Sequence, residues 1–215
     1  MKTVKKIKKI IGITGGVGTG KSTVSHLLKN LYGFSVINTD ETGHEAFIIG
    51  SSTYDSIVSH FGDGITDDEG KIKNNALASI IFSDPVEKKY LDDIIHPFVF
   101  ARIDELKAAW EAEGGDTPLV IETALMFETG CERYCDEIWG VVTDHEIRVD
   151  RLMRERGYPR EKTESILANQ ISDEELKRRC DVIIKNDGDI DDIEDEIKKT
   201  LICRDLYTVR SVNSQ

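Results

Sequence analysis

Gly15-Gly16-Val17-Gly18-Thr19-Gly20-Lys21-Ser22 follows an apolar run, Lys9 to Thr14 (KIIGIT), and precedes a segment where Val24, Leu27, Leu28 and Leu31 repeat at helical spacing. Strand, glycine loop and helix in that order are the setting in which G-x-x-x-x-G-K-[ST] becomes a phosphate-binding loop. The glycines let successive amides close around phosphate oxygens where a Cβ would intrude. The helix that begins near Lys21 aims its unpaired amides and positive dipole end at the same anion. Lys21 is then expected to reach the β and γ phosphates, and the Ser22 hydroxyl to ligate Mg²⁺. Gly16, Val17, Gly18, Thr19, Gly20 and Thr23 complete the expected nucleotide site.

Outward from the loop, four more runs read as buried strands: Phe34 to Asn38, Pro118 to Glu122, Glu137 to Thr143 and Asp181 to Asn186. Their Val and Ile residues do not alternate cleanly with polar ones, as in strands covered on both faces. With helical periodicities between them, the fold class is α/β: a three-layer α/β/α core around a five-stranded parallel sheet. About 80 residues separate the second and third strands, far beyond a usual crossover. Residues 1 to 215 are therefore expected to form a single domain whose core lies at about 9–40, 118–143 and 181–203. A helical insertion at about 41–117 carries helices at 41–49, 53–61, 75–82, 86–95 and 98–112, with Pro97 in the first turn of the last. A region at about 144–180 concentrates Arg148, Arg151, Arg154, Arg156, Arg160, Arg178 and Arg179 and reads as a lid.

Twenty-eight Lys and Arg against 40 Asp and Glu give a formal charge of −12, which disfavours binding a nucleic-acid backbone over the whole surface. With 39% apolar and 32% charged residues, 17 Gly and 4 Pro, the composition excludes collagen-like, low-complexity and wholly disordered classes. The longest uncharged stretch, Ile10 to Gly20, falls short of the ~18–20 apolar residues of a membrane span. Lys2, Lys5, Lys6, Lys8 and Lys9 read as a solvated lead-in to the first strand, since no apolar h-region follows. The expectation is a soluble cytoplasmic protein, monomer or small homo-oligomer, with no nucleic-acid or membrane partner. Cys131, Cys135, Cys180 and Cys203 are spaced neither for a disulfide scaffold nor for a zinc site. The acid-rich segment Asp187 to Glu196 reads as the solvated start of an amphipathic helix through Ile190, Ile193, Ile197 and Leu201.

Asp40 follows the second strand, where the ligand crevice of an open parallel sheet lies; it is either a base for an attacking hydroxyl or the cap of the next helix. Glu122 ends the third strand, either organising Mg²⁺ and its waters or standing in solvent. His96-Pro97 is read as a structural histidine before a helix start or as part of an acceptor site. Arg151 and its neighbours either offset charge on a transferred phosphoryl group or pair with local glutamates. There is no separate NKxD-type guanine reader, and Lys185-Asn186-Asp187-Gly188 only loosely suggests one, so ATP is the expected nucleotide.

The sequence resembles the dephospho-CoA kinase family from Ile10 to about Glu196. The likeness rests on Gly12 to Val24, Asp40, Leu91 to Pro97, Glu122 to Glu128, Arg151-Leu152-Met153, Ala168-Asn169-Gln170 and Asn186-Asp187-Gly188. It implies a phosphate-loop kinase core with a CoA-binding insertion and an arginine-bearing lid, moving the γ-phosphoryl of ATP to the 3′-hydroxyl of dephospho-CoA with Mg²⁺. It implies Asp40 as general base, Lys21 and Arg151 as further catalytic residues, Asn186 at the nucleotide, and His96, Pro97, Glu122 and Glu128 at the acceptor. The runner-up is another phosphate-loop kinase acting on a nucleoside, nucleotide or sugar-acid hydroxyl. Asn38 stands where the family usually has an aspartate, Glu122 for another aspartate, Ala124 for a proline, Asn74 near a common arginine, and Glu155 for a second lid arginine.

Overall fold

Eleven residues around the phosphate loop carry no charge, and the strand that leads into it is buried along its whole length. In the computed structural model, which describes residues 2–4 and 7–209, this strand is the centre of a five-stranded parallel sheet. The strands are β1 (Lys2–Val4), β2 (Ile10–Thr14), β3 (Ser35–Asn38), β4 (Leu119–Glu122), β5 (Glu137–Val142), β6 (Val182–Lys185) and β7 (Tyr207–Val209). The large sheet runs β3-β4-β2-β5-β6, and β1 pairs antiparallel with β7 in a separate two-stranded sheet that no sequence pattern announced. Ile13 lies level with Glu122 on β4 and with Trp139 on β5, so the neighbours of β2 end beside the loop. A central strand whose partners leave it on opposite sides is where an open sheet binds its ligand.

The helices are α1 (Lys21–Tyr32), α2 (Thr39–Glu45), α3 (Ser52–Phe61), α4 (Asn74–Ser83), α5 (Pro85–Ala112), α6 (His145–Arg156), α7 (Arg160–Ala168), α8 (Asp173–Arg179) and α9 (Ile190–Cys203). The chain divides into two compact units, residues 1–37 with 110–215, and residues 38–109. In the first, Val24, Leu27 and Leu28 of α1 and Ile193, Ile197 and Leu201 of α9 bury against Ile11, Ile13, Trp139 and Ile184. Leu31 and Ile190, at the ends of those stripes, are exposed instead, and at the end of α1 it is Tyr32 that packs against the core. The acids before α9 are used locally: Asp189 caps the helix in a reciprocal capping box with Asp192. Lys9 is no solvated lysine; it pairs with the buried Glu137. Lys8 pairs with Glu111 at 3.0 Å, whereas Lys5, Lys6 and the Lys2 side chain lie outside the described residues.

In the second unit, Ile57, Ile65, Leu77 and Leu91 form a core against which Ile94 and Ile95 pack. The two helices expected at 86–95 and 98–112 are one, with Pro97 inside it rather than opening a new one. Proline removes one backbone bond and costs ~3 kcal/mol in a helix interior. His96 is a poor N-cap, and the apolar stripe at Leu91, Ile94 and Ile95 holds the turn just before the proline. The helix expected at 41–49 occupies 39–45, because Asn38 caps it: its side chain accepts from the amides of Asp40, at 2.9 Å, and Glu41, at 3.2 Å. Asp40 is therefore not the cap.

Candidate active site

The loop after Thr14 leads from the end of β2 into α1. Gly20 is the N-cap of α1 at φ 83°, ψ 29°, a left-handed conformation open to glycine, and a Cβ there would overlap the Asn186 amide nitrogen. No side chain caps α1, so its first amides are not spent on a capping group. The Gly16 carbonyl gathers the loop: it accepts from Thr19 Oγ1 at 2.8 Å and from Lys21 Nζ at 3.1 Å. Ser22 Oγ donates to Glu122 Oε1 at 2.6 Å, and Glu122 is buried at the end of β4. A hydroxyl and a carboxylate oxygen held together form the hard donor set that suits Mg²⁺, so these two residues fit the expected cation.

A second set of residues braces the loop. Buried Asn186 donates from Nδ2 to the Thr19 carbonyl at 2.8 Å, and Thr143 Oγ1 lies 3.1 Å from the carbonyls of both Thr19 and Asn186. Arg151 donates to the Asn186 carbonyl at 3.0 Å and to the Gly18 carbonyl at 3.4 Å. Asp187 accepts from the Asp144 amide at 2.7 Å. Asn186 and Asp187 thus tie the segment after β6 to the phosphate loop and to the start of α6. Val17 lies between Gln170, whose Oε1 accepts from its amide at 2.8 Å, and Arg148, whose Nε donates to its carbonyl at 3.2 Å. Burial pulls Arg148 below the ordinary arginine value, and Asp173 pulls it partly back. Lys21, Arg148 and Arg151 concentrate positive charge around the loop of a strongly acidic chain, and such a place favours an anion.

The other arginines of residues 144–180 are elsewhere. Arg154 and Arg156 are exposed, Arg154 beside Glu155 at 3.9 Å, so neither takes the loop contacts of Arg148 and Arg151. Arg160 pairs with Glu146 at 2.7 Å and Glu164 at 3.2 Å, Arg178 pairs with Glu175, and Arg179 lies over the Phe127 ring at 3.7 Å. Glu128 is exposed and lines a small cavity with Gly15, Gly16, Ala124, Asn169 and Gln170. In the second unit, Asp40 is exposed in the first turn of α2, His96 is half-buried and Pro97 exposed on α5.

Sequence reasoning gave no individual role to Arg148, Gln170 or Thr143. A signal for Arg148 was present: it shares the buried face of α6 with Val149 and Leu152, where an unpaired charge would be costly. Burial pushes the Cys131 thiol up to about 11 and Cys135 to about 12, which keeps both protonated and poor as ligands.

Comparison with known proteins agrees with this geometry. A family profile described as dephospho-CoA kinase matches residues 9–192. The dephospho-CoA kinase of Geobacter sulfurreducens is 40% identical over 190 residues, covering 88% of this chain and 95% of that one. The crystal structure of TT1252 from Thermus thermophilus overlays with a TM-score of 0.77 at 31% identity, covering 90% and 96% of the two chains. Dephospho-CoA kinase from Campylobacter jejuni overlays at 0.66 with 27% identity, covering 90% and 95%. A phosphate loop braced by Asn186 and Arg151, in a chain matched from the first core strand to the last helix, belongs to the dephospho-CoA kinase family.

Proposed function

We propose that this ATP-dependent kinase transfers the γ-phosphoryl group of ATP to the ribose 3′-hydroxyl of dephospho-CoA, giving CoA and ADP. The observation that carries the reading is the pairing of Ser22 with Glu122 beside Lys21, at the ends of the central strands of a chain of this family. In the transfer, the acceptor oxygen forms a bond to the γ-phosphorus as the bond to the β,γ-bridging oxygen breaks. The acceptor's proton passes to the Asp40 carboxylate, and the electron pair of the broken bond leaves with ADP.

Lys21 moves from the Gly16 carbonyl to the phosphate oxygens, where its hydrogen bonds become charge-assisted on both sides. Arg151 lies close enough to the loop to offset charge on the same group. Ser22 and Glu122 would hold Mg²⁺, which would neutralise phosphate charge. Glu128, His96 and Pro97 contribute to the acceptor site, and the protein works in the cytoplasm.

Mass detection of CoA and ADP after mixing protein, MgATP and dephospho-CoA tests the reading. Product is expected, with Asp40→Asn reducing turnover ~10²-fold or more while ATP binding is retained. Retained ATP binding with no CoA formed would defeat the acceptor assignment.

A further inference from the structure

Ala168-Asn169-Gln170 and the buried Arg148 have no task in the transfer just described, yet both reach the apex of the phosphate loop. Gln170 Oε1 accepts from the Val17 amide at 2.8 Å and from Arg148 NH2 at 2.9 Å, while Arg148 Nε donates to the Val17 carbonyl at 3.2 Å. These bonds close a ring around one residue. The Val17 N–H and the Gly16 C=O belong to the same peptide plane, and that carbonyl accepts from Lys21 Nζ at 3.1 Å. A trans peptide turns as a unit. Any rotation that frees the Val17 amide from Gln170 also swings the Gly16 oxygen away from Lys21.

We propose that Gln170, held by Arg148, is a positioning residue for phosphoryl transfer: it locks the Gly16–Val17 peptide and thereby sets where the Lys21 ammonium waits for phosphate. The inference rests on the kinase reading above and deepens it. Two further observations support a built device. Arg148 is only 7% exposed, with Asp173 as far as 3.9 Å away, so the fold bears a desolvation cost to keep a guanidinium there. Gly16 is absent from the glycines with positive φ, yet a Cβ on it would stand 2.7 Å from Gln170 Oε1 and overlap Arg148. A side chain at this position would thus have to displace the clamp, although the Gly16 backbone itself does not call for glycine.

The test measures affinity for the Mg²⁺ complex of the β,γ-imido analogue of ATP, and the rate of CoA formation, across a short variant series. Gln170→Leu keeps the bulk and removes the acceptor. It is expected to cost about tenfold in analogue affinity and in kcat/KM for ATP, with KM for dephospho-CoA unchanged. Gln170→Glu keeps an acceptor oxygen for both donors and, at about 0.5 M salt where its added charge is screened, is expected to stay within about threefold of the parent at the same salt. Gly16→Ala is expected to lose about tenfold alone and distinctly less when Arg148→Ala has already removed the obstructing guanidinium. Equal losses in Gln170→Leu and Gln170→Glu, unchanged affinity in Gln170→Leu, or simple additivity of Gly16→Ala with Arg148→Ala would each overturn the proposal. If Gln170→Leu fails to fold, the Gly16 and Arg148 cycle decides alone. Because analogue affinity needs no acceptor, a parent that makes no CoA would sink the acceptor assignment while this series still judged the clamp.

Discussion

Strand β5 carries a polar cluster at each end, and the two are wired in opposite ways. At its start, Glu137 is 5% exposed, pairs with Lys9 and Arg204, and accepts the Trp139 indole N–H at 3.1 Å. Burial raises its pKa, but the hydrogen bonds from Lys9, Arg204 and Trp139 outweigh that and hold the carboxyl below its ordinary value. Just past its end, Thr143 joins a cluster in which Arg148 and Arg151 donate to backbone carbonyls and an amide oxygen. There burial pulls the Arg148 value down. Charge matched within the chain makes a staple, whereas cations facing neutral acceptors gain most when an anion arrives. The contrast separates what holds the sheet from what receives phosphate.

Substitutions at the two ends should therefore divide cleanly between turnover and stability. The largest effect is expected from Lys21→Ala, which removes the ammonium proposed to meet the phosphates. CoA formation should fall ~10²–10³-fold, with a melting temperature within ~2 °C of the parent. Comparable losses of stability and rate would mean that the loop itself depends on Lys21. Glu137→Ala should do the reverse. Leaving Lys9 and Arg204 without their shared carboxylate is expected to cost roughly 2–3 kcal/mol, below the 3–5 of a fully buried pair because both cations are partly exposed. For a chain of this size that lowers the melting temperature by roughly 5–10 °C, with the rate per folded molecule within about twofold.

The same staple should show in pH dependence. A carboxyl whose folded pKa lies below its unfolded value stabilises fully above the unfolded value, near 4.5, and that contribution is lost as pH falls through the folded value. Urea unfolding of the parent and Glu137→Gln should give a wide stability gap at neutral pH that narrows below about 4.5. A constant gap would assign the effect to packing. At the other end, Asn186→Ala deletes the donor to the Thr19 carbonyl and should raise KM for ATP about fivefold, as one buried hydrogen bond would.

The same contrast shows what was legible in the sequence. The phosphate loop, its strand and its helix are consecutive, so composition, spacing and glycine placement all bear on one segment and agree with the structure. The staple joins residues 128 and 67 apart in the chain, and nothing local to Lys9, Glu137 or Arg204 marks them as partners. Gln170 meets Val17 across 153 residues, which is why its motif was visible and its contact was not. Pro97 misled because helix-breaking is a local rule, while the apolar face on Ile94 and Ile95 packs against a core assembled from other helices. Asn38 looked like the loss of a carboxylate, whereas its side chain caps the helix that carries Asp40.

Glu122 offers the finest test of the division, because it is as buried as Glu137 yet accepts from the neutral Ser22 hydroxyl at the phosphate end. Its backbone is fixed by pairing with β2, and the following amide, of Thr123, donates to the Ile13 carbonyl at 3.0 Å. Shortening the side chain by one methylene in Glu122→Asp withdraws the carboxylate by ~1.5 Å and breaks the 2.6 Å contact without moving the strand. If this carboxylate serves the site, the Mg²⁺ concentration giving half-maximal rate should rise about threefold, while nucleotide affinity without Mg²⁺ and the unfolding midpoint hold. A shift in the unfolding midpoint with no change in Mg²⁺ dependence would place Glu122 with Glu137 among the staples. The cation would then be organised from Ser22 and water, and carboxylates at the two ends of the sheet would differ in partner but not in purpose.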